Sequence, residues 1–131
     1  MDFLKEIGNY KILFSDAKVI RCIVDHAFSF VIADQDDFLT VQIEGIFVLS
    51  VGEVKHEISP QNATQLGNAL NILRKSVIGF DIQEHGQLMV VVDKIQIDVQ
   101  PHNEYEAWQC WSESGLRIVC MPDGQLAIWK L

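Results

Sequence analysis

Apolar and polar residues alternate along most of this chain. In residues 38–44, FLTVQIE, Leu39, Val41 and Ile43 fall on one side and Thr40, Gln42 and Glu44 on the other, and residues 95–99, IQIDV, alternate in the same way. A period of two marks a strand with one buried and one wet face. Further strands are predicted at residues 19–24, 27–32, 46–51, 54–58, 77–83, 87–92, 108–111, 117–121 and 125–129. The separators are turn dipeptides: Asp25-His26, Asp36-Asp37, Glu44-Gly45, His85-Gly86, Ser114-Gly115 and Asp123-Gly124.

One segment departs from this pattern. In SPQNATQLGNALNILRKS, Ser59 suits an N-cap and Pro60 a first helical position, and Ala63, Leu66, Gly67, Leu70 and Leu73 recur at helical spacing. Arg74 and Lys75 then fall at the negative end of the helix dipole. An amphipathic helix of about four turns is expected, long enough to cover one face of a sheet. The stretches on either side of it resemble each other. KVIRCIVDHAFSFVI and SVIGFDIQEHGQLMVV both run from a Val-Ile start through a histidine-bearing turn into an apolar strand, and each is followed by an alternating strand. The expected fold is therefore α+β and mainly antiparallel β: two similar β-meanders, forming a barrel or a sandwich, joined by and packed on one central amphipathic helix. Residues 1–131 form a single domain in this reading, with residues 1–58 as first meander, 59–75 as helix and 76–131 as second meander.

The last third reads as two hairpins whose turns set a register. With Asp123-Gly124 as a two-residue loop, Cys120 faces Ala127 and Ile118 faces Trp129; with the preceding hairpin centred on Gly115, Cys110 faces Cys120 and Trp111 faces Val119. Opposed residues share a face. Trp108, Cys110, Ile118, Cys120, Ala127 and Trp129 would then line one side, and Trp111, Val119, Met121, Leu126 and Ile128 the other. Both sides are apolar, so this sheet is expected to be covered twice, by the helix and by strands of the other meander.

Composition adds limits. A chain of 131 residues with 49% hydrophobic and 21% charged residues carries enough apolar material for an ordinary globular core. The first residues, MDFLKEIGNYK, show neither a basic n-region nor an apolar core, and no apolar run approaches the roughly 20 residues of a membrane span. A cytoplasmic protein is expected, with no membrane partner. Three cysteines, Cys22, Cys110 and Cys120, without CxxC spacing fit reduced thiols. The net charge of −8 removes the electrostatic term on which nucleic-acid binding relies, and favours a basic protein partner.

Chemistry is sparse. His26, His56, His85 and His102 form no HxH or HExxH pair, and no glycine-rich phosphate loop or GxSxG elbow occurs. Cys120 falls mid-strand without a basic neighbour. No enzyme activity, cofactor or metal is expected.

The segment YEAWQCWSESGLRIVCMPDGQLAIW, residues 105–129, resembles the C-terminal signature of a family of small uncharacterised bacterial proteins, in which Tyr-Glu-Ala-Trp leads to a Val-Cys strand and a closing Gly-x-Leu-Ala-x-Trp. Fainter likeness extends upstream, over about four fifths of the chain. Members resemble immunity-type proteins of bacterial toxin systems. The resemblance implies a protein that binds and neutralises a cognate basic toxin, and the candidate contacts are acidic: Asp34, Asp36, Asp37, Glu44, Glu104 and Glu106, with Tyr105 beside the last two. The alternatives are a small-molecule binding module using the aromatic C-terminal sheet, or a structural component that forms a homo-oligomer by pairing residues 125–130 across a two-fold axis.

Overall fold

Alternation becomes thirteen strands in two antiparallel sheets, with one short helix; the computed structural model describes residues 1–130. The strands are β1 (Asp2–Glu6), β2 (Asn9–Leu13), β3 (Ala17–Val24), β4 (Phe28–Asp34), β5 (Asp37–Ile43), β6 (Phe47–Val51), β7 (Val54–Ile58), β8 (Val77–Gln83), β9 (Leu88–Val92), β10 (Ile95–Val99), β11 (Trp108–Ser112), β12 (Arg117–Cys120) and β13 (Leu126–Trp129). Sheet A runs β1-β2-β8-β9-β10-β6-β7 and sheet B runs β13-β12-β11-β5-β4-β3. Their facing sides share one hydrophobic cluster; Phe28 of sheet B, for example, stacks on Phe47 of sheet A at 5.7 Å between ring centroids. The architecture is an open sandwich, with sheet edges at β1, β7, β13 and β3.

The two similar stretches seen in the sequence do not form separate layers. Adding five to each strand number turns the order β7-β6-β10-β9-β8 of sheet A into β12-β11-β5-β4-β3 of sheet B when the second unit is carried back onto the first. The chain therefore holds two five-strand units, β3–β7 and β8–β12, and each lends its last two strands to the other's sheet: β6 pairs with β10, and β11 with β5. Local detail agrees. Both units have a register shift at the same place, between Val19 and Arg21 and between Val77 and Gly79, and Lys18 bridges Ser76, its own counterpart in the repeat. Hairpin β1–β2 and strand β13 lie outside the repeat. The β1–β2 hairpin escapes the alternation rule because DFLKE and NYKIL mix charges with apolar residues on both faces.

Three expectations need correction. The four-turn helix is α1 (Ala63–Ala69), seven residues long, continued by a 3-10 turn at Leu70–Ile72. Asn62, not Ser59, is its N-cap: the Asn62 side chain accepts from the N–H groups of Thr64 and Gln65, and Gln65 reaches back to accept from the Ser59 N–H at 2.8 Å. Leu66, Ala69 and Ile72 are buried, whereas Leu70 is exposed. Arg74, with φ 69, and Lys75 lie beyond the helix and tie it to β3: Arg74 N–H donates to the Val19 carbonyl at 2.7 Å, and Val19 N–H to the Lys75 carbonyl at 3.0 Å. The dipole role assigned to them is thus replaced by a backbone clasp.

The second correction concerns register. Cys110 faces Ile118 rather than Cys120, because Ser112 N–H donates to the Leu116 carbonyl and closes a three-residue loop. Beyond it, Cys120 faces Leu126 and Ile118 faces Ile128. A two-residue Asp123-Gly124 loop would require Pro122 to pair with Gln125, and proline has no N–H to give. Instead Met121 N–H donates to the Gln125 carbonyl at 2.8 Å, and Asp123 takes the left-handed φ of 67° inside a three-residue turn. The one-residue slip inverts β13, so Ala127 and Trp129 point away from the core and Leu126 and Ile128 toward it. Third, sheet B is covered on one side only. Its outer face is bare.

Candidate functional site

Most of the aromatic segment is consumed by a structural junction. The Trp108 indole N–H donates to the Gly86 carbonyl at 2.8 Å, and the Cys120 thiol approaches the same oxygen at 3.5 Å. Gly86, at the β8–β9 turn of sheet A, lies against Gly124, at the β12–β13 turn of sheet B. A Cβ on Gly86 would stand 2.6 Å from the Gly124 Cα, and a Cβ on Gly124 would run into the His85 carbonyl oxygen. Both have positive φ, 106° and 89°. Ala107 prolongs the β11–β5 ladder within sheet B, its carbonyl accepting from both Glu44 and Gly45 N–H at 2.9 and 3.0 Å. Trp108, Cys120 and the glycine turn therefore lock one sheet to the other.

The remaining aromatic surface lies on the outer face of sheet B. Cross-strand pairing aligns Trp129, Arg117, Trp111, Thr40, Val31 and Arg21 in one row over all six strands. Trp129 is 53% exposed and Trp111 partly so. Three shallow depressions flank the row. One of ≈ 410 Å³ lies between Trp111, Gln109, Gln42 and Arg117; one of ≈ 330 Å³ between Trp111, Phe38, Val31, Ile20, Arg21 and Glu113; one of ≈ 450 Å³ between Arg117, Val119, Met121, Trp129 and Glu106. Arg117 Nη2 donates to Gln109 Oε1 at 2.9 Å.

The repeat supplies an internal control. The row of sheet A equivalent to Arg117–Trp111–Thr40–Val31–Arg21 is Lys55–Ser50–Gln96–Val91–Gly79. Serine fills the position of Trp111 in a sheet of the same topology. Folding places no demand for an indole there.

The acidic candidates are split between the two ends of β5. Asp36 and Asp37 lie at the β4–β5 turn beside Glu113, and Asp37 accepts from the Ser114 hydroxyl at 2.6 Å. At the far end, roughly 20 Å away for a seven-residue strand, Glu44 accepts from Gln42 Nε2 at 3.1 Å and stands 3.8 Å from His26 Nε2. Tyr105 shares that end and stacks on His102 with centroids 4.0 Å apart; Glu104 is exposed beside it. Glu106 is half-buried at the open end of β11, in the depression that holds Trp129. Asp34 is different. It is 2% exposed, and its carboxylate accepts from Ser15 and Asp16 N–H and pairs with the Met1 ammonium. Burial pushes its pKa up, but those amides and the ammonium outweigh burial and hold it below the usual carboxylate range. Its oxygens are already engaged and face no partner.

Sequence alternation missed Trp111, Trp129 and Arg117 as surface residues. The signal that identifies them is polarity one step along the same face: Gln109 on β11, and Thr40 and Gln42 on β5, share the side of Trp111. This face can stack rings, donate from guanidinium and amide, and pair with anions. It offers no thiolate, since burial pushes Cys110 to about 12 and burial together with the Glu106 charge pushes Cys120 to about 11, and both lie in the core. Among the described residues no cluster of three or more His, Cys, Asp or Glu is placed to hold a metal, and no helix is long and apolar enough to cross a membrane.

No curated protein and no solved structure matches the chain. A family model does: Family of unknown function (DUF6188) matches residues 10–130, from the second residue of β2 past the end of β13. The match spans both five-strand units and the junction at Gly86 and Gly124, and on that match the chain belongs to the family of unknown function DUF6188.

Proposed function

We propose that the protein is a non-catalytic docking protein of the immunity type, which covers a basic protein partner with the outer face of sheet B. The observation that carries this reading is the asymmetry between equivalent faces: Trp111 stands where the twin sheet has Ser50. Protein interfaces concentrate Trp, Tyr and Arg at a central patch and charge at its rim. Trp111, Trp129 and Arg117 form the patch; Asp36, Asp37 and Glu113 flank one end and Glu44 and Glu104 the other. With a net charge of −8, such a rim steers a basic partner and rejects an acidic one.

The test is co-expression with the product of the adjoining gene, followed by affinity capture and a growth assay. A stoichiometric complex and protection from the neighbour's toxicity are expected, with both lost in Trp111→Ser. Failure to form any complex, with no protection, sinks the proposal.

A further inference from the structure

The aromatic patch of this face carries charge of the opposite sign to its rim. Arg117 is bracketed by Trp111 on β11 and Trp129 on β13, each directly opposite it across a strand pair, and it borders the depressions on both sides. Its guanidinium is tethered to Gln109 Oε1. Among the described residues it forms no ion pair, although the chain is rich in carboxylates; Glu106 lines the same depression without coming within ion-pair distance. The twin position in sheet A is also cationic, Lys55 opposite Ser50, but no ring stands beside it, because β13 has no counterpart there. Arg117 is exposed, and its planar guanidinium is a better receptor for a carboxylate than an ammonium, because the fork donates two parallel N–H groups and the indoles on the neighbouring strands offer rings for an aromatic acid to lie against.

Resting on the docking reading above, we propose that Arg117 receives a carboxylate of the partner, so that the partner's contact surface is basic at its margin and carries an acidic residue where it meets the Trp111–Trp129 patch. Arg117 then determines specificity, and the acidic rim sets the rate of encounter.

The probe for the site is benzoate, which joins a carboxylate to a ring, followed by the indole N–H resonances of ¹⁵N-labelled protein at neutral pH. Benzoate is expected to shift Trp111 and Trp129 with about millimolar affinity, to leave buried Trp108 unmoved, and to bind at least about tenfold more tightly than neutral benzamide or cationic benzylammonium. Arg117→Lys should keep part of the response and Arg117→Gln should abolish it. In the captured complex, Arg117→Glu should weaken binding about 30-fold or more. Equal shifts with benzoate and benzamide, or an unchanged response in Arg117→Gln, overturn the proposal. Micromolar affinity for benzoate alone overturns the partner assignment in favour of a free aromatic acid. If Arg117→Glu binds the partner like the parent while Trp111→Ser does not, the Arg117 role falls and docking stands; if neither variant loses the partner, docking on this face falls.

Discussion

Replacing Gly124 by alanine probes the junction between the sheets at its tightest point. Two penalties add. The residue has φ 89°, and a left-handed conformation costs a side-chain-bearing residue about 1–2 kcal/mol. The added Cβ would also meet the His85 carbonyl oxygen, with Pro101 Cγ at 3.2 Å behind it. Both neighbours are ring or backbone atoms and cannot swing away, so the β8–β9 turn must shift and loosen the Trp108–Gly86 hydrogen bond. Overpacking of this kind costs about 1–3 kcal/mol, giving about 2–5 kcal/mol in total. For 131 residues the unfolding entropy near the midpoint is about 0.28 kcal/mol/K, so the loss in Tm should be about 7–18 °C. Gly52→Ala is the control. Its φ is 61° and nothing lies within 4 Å of its Cβ, so only the conformational penalty applies, about 4–7 °C. Circular dichroism melts of the two variants decide the matter. Equal losses would show that the contact with His85 is slack and that the sheets are not locked there.

The same geometry sets further outcomes. Trp108→Ala should cost about 3–5 kcal/mol in urea unfolding, whereas Trp111→Ser should change stability by less than about 1 kcal/mol, because the twin sheet is built with Ser50 at that position. Native Cys110 and Cys120, with thiols pushed to about 12 and about 11, should resist a disulfide reagent at pH 8, where about one molecule in ten thousand and one in a thousand would be thiolate; prompt labelling of either would refute their burial. Asp34 has a folded-state pKa below its unfolded value, so its stabilisation is present above the unfolded pKa and fades as pH falls through the folded one. Urea titrations below pH 4 should therefore show an acid-induced loss that is smaller in Asp34→Asn, and parallel curves would exclude the effect. Co-expressed fragments 1–61 and 62–131 should assemble one to one while neither folds alone; a folded monomer of either would contradict the exchange of β6 and β11.

Much of the fold was legible because a buried face writes a period of two into β5 and β10 and because turn dipeptides bound the apolar runs that become β4 and β9. The likeness of residues 18–32 to 76–91 was legible too, though not the register shift that both share. Their exchange of strands was not: an apolar run marks β6 and β11 as strands, and says nothing about which sheet each joins. The helix was overread because Leu70 and Leu73 keep helical spacing, while Asn62 captures the cap and Gly67, Asn68 and Asn71 weaken the later turns. The face of Trp111 was misassigned because a tryptophan counts as apolar in any pattern; only its polar neighbours mark the side as wet. The end of β13 was inverted by a single missing amide proton, that of Pro122.

The lending of strands between units bears on how the protein comes apart. Withdrawing β11 and β12 to loosen the second unit strips β5 of its neighbour in the first, and withdrawing β6 and β7 does the same to β10. Neither unit has a private opening. Partial unfolding should be scarce relative to global unfolding, leaving protected amides of both sheets to exchange by the same rare event. The pairings that impose this, β5 with β11 and β6 with β10, join residues far apart in sequence. The chain should therefore fold slowly for its size and, once folded, hold its aromatic face on a scaffold that yields only as a whole.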